Sequence, residues 1–158
     1  MLRLRVGIGA TAGTVIASRR IERGGYVRLE AGTASHTGRI RTSNQDSVGL
    51  VDGLYVVADG MGGHRGGEVA SAEAVAAMLA VFDRRDRAGL VAAVRSANRT
   101  ILEKTVTRPD LSGMGTTLCA LAVVSSASGD EVLAVANIGD SRVYRFAAGE
   151  LVQVTDDH

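Results

Sequence analysis

Leu54-Tyr55-Val56-Val57-Ala58-Asp59 is an apolar run closed by a carboxylate, and Gly60, Gly62, Gly63, Gly66 and Gly67 follow within eight positions. The unbroken apolar run predicts a strand buried on both faces. A charge that ends such a strand needs a partner, because an uncompensated carboxylate is costly to remove from water. The glycines permit positive backbone dihedrals and let carbonyl oxygens or amides come close to a ligand without side chains in the way. Oxygen donors of the carboxylate and carbonyl kind favour Mg2+ or Mn2+. The plainer alternative is a glycine-rich strand-to-helix turn with a capping acid. A nucleotide-phosphate loop does not fit, since the lysine and hydroxyl of GxxxxGK[ST] are absent. A dinucleotide fingerprint does not fit either, because Asp59 would repel the pyrophosphate.

At 158 residues the chain is one domain or a piece of one. Net charge is only +1 and aromatic residues are 3% of the chain, so neither a nucleic-acid partner nor a membrane surface is expected. Charge is unevenly placed. Residues 1–41 carry eight Arg against two Glu, whereas 42–158 carry ten Lys or Arg against fifteen Asp or Glu, so the acids collect where the metal chemistry is expected. Cys119 is the single cysteine, which excludes an internal disulfide and reads as a buried thiol in a reducing, cytoplasmic setting. Residues 1–25 form an N-terminal extension: Gly7, Gly9 and Gly13 interrupt its apolar run, which is too short to span a bilayer and lacks a cleavage site of the secretory kind.

From Tyr26 the pattern is regular. Strands are expected at Tyr26–Gly32, Ser47–Val51 and Leu54–Ala58, the last two joined by the hairpin pair Asp52-Gly53. Gly66–Phe82, rich in Ala, Val, Met and Leu, predicts a helix buried on much of its circumference, with layers on both sides. Ala88–Thr107 repeats Leu90, Val94, Ala97 and Ile101 on one face, covers the preceding helix, and stops at Arg108-Pro109-Asp110. Further strands are expected at Thr116–Ser125, Glu131–Ile138, Arg142–Phe146 and Leu151–Thr155. This order predicts an α+β layered domain with antiparallel sheet.

Four blocks fall at strand ends or turns, where functional groups project: Arg41-Thr42-Ser43-Asn44-Gln45-Asp46, Val57–Glu68, Gly113–Thr117 and Ala136–Arg142. In this order and spacing they resemble the metal-dependent (PPM-type, type 2C) serine/threonine protein phosphatases, especially the bacterial branch, from about Tyr26 to His158. The resemblance implies an antiparallel β-sandwich flanked by helices, of which residues 26–158 supply the N-terminal part of the catalytic domain. It also implies hydrolysis of phosphoserine and phosphothreonine on proteins by a metal-activated water, with two divalent ions, Mn2+ or Mg2+, and a third held more weakly.

Carried over residue by residue, Asp59 matches the acid that bridges two ions, Gly60 the glycine whose carbonyl joins one of them, and Asp46 the acid of the first metal block. Asp140 matches an acid of the third ion. Arg41 matches the arginine that holds the substrate phosphate, a task suited to a planar charged fork. His64, in the DGMGGH block, is a candidate general acid for the departing alkoxide. Where some relatives have Glu, this chain has Gln45, which leaves one ion bound mainly through water. Family members draw two further metal aspartates from C-terminal blocks that would follow His158. Residues 1–158 alone are therefore expected to bind Mn2+ weakly and to leave the strand face of Leu118, Ala120, Ala122 and Val124 uncovered. Rival readings are a non-catalytic module that binds phosphoproteins, and a stress-pathway phosphatase acting on an anti-sigma-factor antagonist.

Overall fold

The computed structural model describes residues 31–39, 42–62 and 65–157 in full and residues 12–13 as backbone. They belong to two units, one drawing on residues before Gln45 and on Arg142–Asp156, the other on Gln45–Ser141 with Asp157. In chain order the elements are β1 (Ala12–Gly13), β2 (Thr33–Ala34), β3 (Asp46–Val51), β4 (Leu54–Met61), α1 (Gly66–Val81) and α2 (Arg87–Thr107). A single 3-10 turn at Pro109–Leu111 then leads to β5 (Gly115–Thr116), β6 (Leu118–Ser125), β7 (Glu131–Ile138), β8 (Tyr144–Ala147) and β9 (Glu150–Gln153).

The larger unit is built on one antiparallel sheet in the order β3-β4-β6-β7, with β5 alongside the end of β4. Asp52-Gly53 makes the expected hairpin, with Gly53 at φ 79°. The Arg85 guanidinium clamps the turn by donating to the Asp52 carbonyl (3.0 Å) and carboxylate (2.9 Å). Side chains alternate across the strands, so Leu54, Val56 and Ala58 share a face with Leu118, Ala120, Ala122 and Val124. That face packs on Ala74, Val75, Met78 and Phe82 and on Leu90, Ala93 and Ala97 of α2. The expectation that the Leu118–Val124 face lies uncovered is thus corrected: the helix pair covers it, because the crossover from β4 to β5 and β6 is made by the helices themselves. The opposite face, with Tyr55, Val57, Cys119, Leu121 and Val123, is buried as well.

Helix α1 lies between sheet and α2, as its two-sided apolar surface requires. Gly49 of β3 admits it, since a Cβ there would meet Val75 Cγ1 at 2.4 Å and Leu79 Cδ1 at 2.9 Å. An ion pair between Glu73 and Lys104, each about one-third exposed, ties α1 to α2. Helix α2 starts one residue earlier than the periodicity suggests, because Asp86 caps it by accepting the Gly89 N–H at 2.7 Å. That backbone donor, with help from Arg84, holds the Asp86 carboxyl below its ordinary range.

Ser71, on the sheet-facing side of α1, is completely buried. Its hydroxyl donates to the Gln45 carbonyl at 2.6 Å and meets the Ser47 hydroxyl at 2.9 Å, pinning the start of β3 to the helix. Ser71→Ala is expected to lower unfolding free energy by about 1–2 kcal/mol, as loss of a buried hydrogen bond does. Urea titration checks this, and an unchanged midpoint would contradict it.

In the smaller unit β1 pairs antiparallel with β2, and β8 with β9. The β8–β9 turn places Ala148 (φ 51°) and Gly149 (φ 85°) in the left-handed region that a tight two-residue hairpin loop needs. The strands run two residues later than Arg142 at one start and end at Gln153 and not Thr155, because Thr155 turns back to accept the Val143 N–H at 3.1 Å. Of the strand expected at Tyr26–Gly32, residues 26–30 lie outside the described residues, and Ala31 and Gly32 are not in a strand.

Candidate metal and phosphate site

Asp59 lies inside β4 and does not end it. The strand runs on to Met61 because Gly60 and Met61 pair with Thr116 and Gly115 of β5, and the Gly60 N–H donates to the Gln45 carbonyl at 3.0 Å. The register of β3 and β4 sets Asp46 directly opposite Asp59. Directly opposed residues share a face, and both carboxylates therefore leave the sheet on the side away from the helices, alternating with Ser47 and Ala58 on the helix side. Both are half-buried. Like charges opposed across a ladder destabilise it. A divalent cation between them reverses that, and a donor set of oxygen alone is the chemistry of a hard cation. Asp46 and Asp59 fit such an ion as two of its ligands.

Asp140 stands apart, exposed in the turn after β7. With β6 between β4 and β7, it is offset from Asp59 by two strand spacings, roughly 10 Å. Among the described residues no group of three or more His, Cys, Asp or Glu gathers to hold a metal. Arg41 and His64 lie outside the described residues.

The glycines serve packing more than backbone freedom. Of Gly60, Gly62, Gly66 and Gly67, only Gly62 has a positive φ, 133°. A Cβ on Gly60 would stand 1.9 Å from the Gly67 carbonyl oxygen, and one on Gly67 would stand 2.8 Å from the Gln45 side chain. The strand end and the first turn of α1 touch backbone to backbone, which fixes Gln45 and hence Asp46 beside Asp59.

A second set of contacts joins Asp59 to the Asp140 turn. The Asp59 N–H donates to Thr117 Oγ1 at 3.2 Å, and the Thr117 N–H donates to the Asp59 carbonyl at 2.9 Å. Thr117 Oγ1 in turn lies 2.6 Å from Ser141 Oγ. Below them the Cys119 thiol donates to Asn137 Oδ1 at 2.9 Å, and Asn137 Nδ2 donates to the Gly139 carbonyl at 3.3 Å, next to Asp140. Burial pushes the Cys119 thiol up to about 11, so at neutral pH it keeps the proton that this chain needs. Thr117, Asn137 and Ser71 escape sequence reading. The first two sit within blocks already singled out, and Ser71 shows only as a polar residue on an apolar helix.

The profile of the "Protein phosphatase 2C" family matches residues 34–158. The serine/threonine protein phosphatase PstP of Mycobacterium tuberculosis is 41% identical over 133 residues, which are 82% of this chain and 25% of that protein. The serine/threonine phosphatase stp of Listeria welshimeri is 35% identical over 136 residues, 77% of this chain and 51% of that protein. The crystal structure of the PstP catalytic domain in complex with two manganese ions superposes with a TM-score of 0.67 at 43% identity, over 76% of this chain and 52% of that one. The α+β fold described above, an antiparallel sheet covered by two helices, is thus shared with the matching part of these bacterial phosphatases. The chain belongs to the protein phosphatase 2C family, and spans a quarter to a half of the length of these two relatives.

Proposed function

We propose that the protein carrying this chain hydrolyses phosphoserine and phosphothreonine monoesters on proteins, using Mn2+ or Mg2+. The observation that carries this reading is the register that opposes Asp46 and Asp59 on one sheet face. Family membership and the two manganese ions named for the PstP catalytic domain support it. When bound, two divalent ions supply a water of lowered pKa and positive charge for the phosphoryl oxygens. The chain's own residues do the rest. Asp46, Asp59 and the Gly60 carbonyl hold the ions, and Asp140 serves a third, weaker one. Arg41 orients the phosphate, and a His64 ring N–H gives its proton to the departing serine or threonine oxygen. The substrates are the products of a serine/threonine kinase in the cytoplasm. No helix among the described residues is long and apolar enough to cross a membrane.

The test is hydrolysis of a phosphothreonine peptide by the full-length protein with and without Mn2+. Turnover that survives complete chelation would overturn the reading. Arg41→Ala sharpens the assignment: losing one charged bidentate contact, worth about 1.5–3 kcal/mol, should raise KM about 10- to 150-fold and alter Mn2+ affinity by calorimetry much less. A collapse of Mn2+ binding would assign Arg41 elsewhere.

A further inference from the structure

We infer that Thr117 is a positioning residue that sets Asp59 and Asp140 relative to one another, an inference resting on the metal reading above. Thr117 lies between β5 and β6, at the sheet end, where β6 separates the strand of Asp59 from the turn of Asp140. One hydroxyl carries at most one donor and two acceptor positions. Here it accepts the Asp59 N–H at 3.2 Å and, 2.6 Å away, shares a hydrogen bond with Ser141 Oγ, the side chain next to Asp140. Its backbone N–H holds the Asp59 carbonyl at 2.9 Å, so Asp59 is gripped on both its peptide groups by this one residue.

The methyl group has its own task. Gly139, at φ 90°, lies so flat against Thr117 that a Cβ on the glycine would meet Thr117 Cγ2 at 3.0 Å and Thr117 Cβ at 3.2 Å. The Asp140 turn therefore rests on the Thr117 methyl and is tied by the Thr117 hydroxyl. Asn137 also holds this turn, donating from Nδ2 to the Gly139 carbonyl at 3.3 Å. The backbone that carries Asp140 is thereby held at Gly139 and at Ser141, the residues on either side of it. Removing the hydroxyl frees both the Asp59 amide and Ser141, so the ion served by Asp140 loses the most.

Hydroxyl and methyl can be separated. Thr117→Val keeps shape and methyl and loses the hydroxyl, whereas Thr117→Ser keeps the hydroxyl. The measurement is Mn2+ titration of full-length protein by calorimetry, with hydrogen exchange of the Asp59 amide read in metal-free protein. Thr117→Val is expected to weaken the lowest-affinity class of Mn2+ about tenfold and to speed Asp59 exchange about tenfold, while the tight class changes less than threefold. Thr117→Ser should restore both readouts to within about threefold of wild type. In an Asp140→Asn background, Thr117→Val should add no further loss of Mn2+ affinity, since coupled residues are not additive. If Thr117→Val matched wild type in both readouts, or Thr117→Ser lost as much as Thr117→Val, the role given to the hydroxyl would be overturned. Wild-type protein that binds no Mn2+ at all would overturn the metal reading itself, and this inference with it.

Discussion

Gly60→Ala is expected to cost about 3 kcal/mol or more of unfolding free energy, beyond the usual range for an added methyl group in a packed core. The new carbon would stand 1.9 Å from the Gly67 carbonyl oxygen, 2.4 Å from the Gly67 carbonyl carbon and 2.8 Å from the Gln45 oxygen. All three are backbone atoms. No rotamer change removes the clash, so β4 and the first turn of α1 must move apart, breaking the 3.0 Å hydrogen bond from Gly60 to Gln45 and with it the placement of Asp46. Gly32→Ala is the control, since a Cβ there meets nothing within 4 Å and Gly32 has no positive φ. It should change stability by less than about 0.5 kcal/mol. Thermal and urea unfolding of the two variants decide the matter. Equal effects would mean that the strand and helix are not in contact at Gly60.

Asp59→Asn is expected to abolish Mn2+-dependent hydrolysis of p-nitrophenyl phosphate by full-length protein and to leave the fold standing. The side chain leaves the sheet on the face away from the helices, and the backbone contacts to Thr117 do not depend on its charge. The amide has the same shape, and the change removes one of two like charges opposed across β3 and β4. In chelator the melting temperature should therefore stay within about 4 °C of wild type, the shift that roughly 1 kcal/mol produces. Normal turnover by folded Asp59→Asn protein at saturating Mn2+ would remove Asp59 from the site. An unfolded variant would instead make Asp59 a structural acid.

Much of this was legible without coordinates. The hairpin at Asp52-Gly53, the buried strand Leu54–Ala58, the two helices and the stop of the second before Pro109 all follow from local periodicity and turn chemistry, because each depends on neighbours within a few residues. Asp86 was legible in principle, as an acid one place before α2, yet the apolar repeat drew the helix start to Ala88.

The chain alone singled out the residues proposed to bear chemistry, the block of Asp59 and Gly60 and the acids Asp46 and Asp140, and it carries the order of blocks that marks the family. Only the tertiary structure decided how they meet. Whether Asp46 faces Asp59 depends on the β3–β4 register, and a slip of one residue would turn one acid onto the helix face. Why Gly60 must be glycine depends on Gly67, seven residues away across a strand-to-helix crossing, and on Gln45, fifteen residues back. Ser71, Thr117 and Asn137 matter through hydrogen bonds to backbone and side chains that the sheet order and helix packing bring beside them. Periodicity reports which way a side chain faces. It holds no record of what lies opposite, and here the residue opposite Asp59 is a second acid.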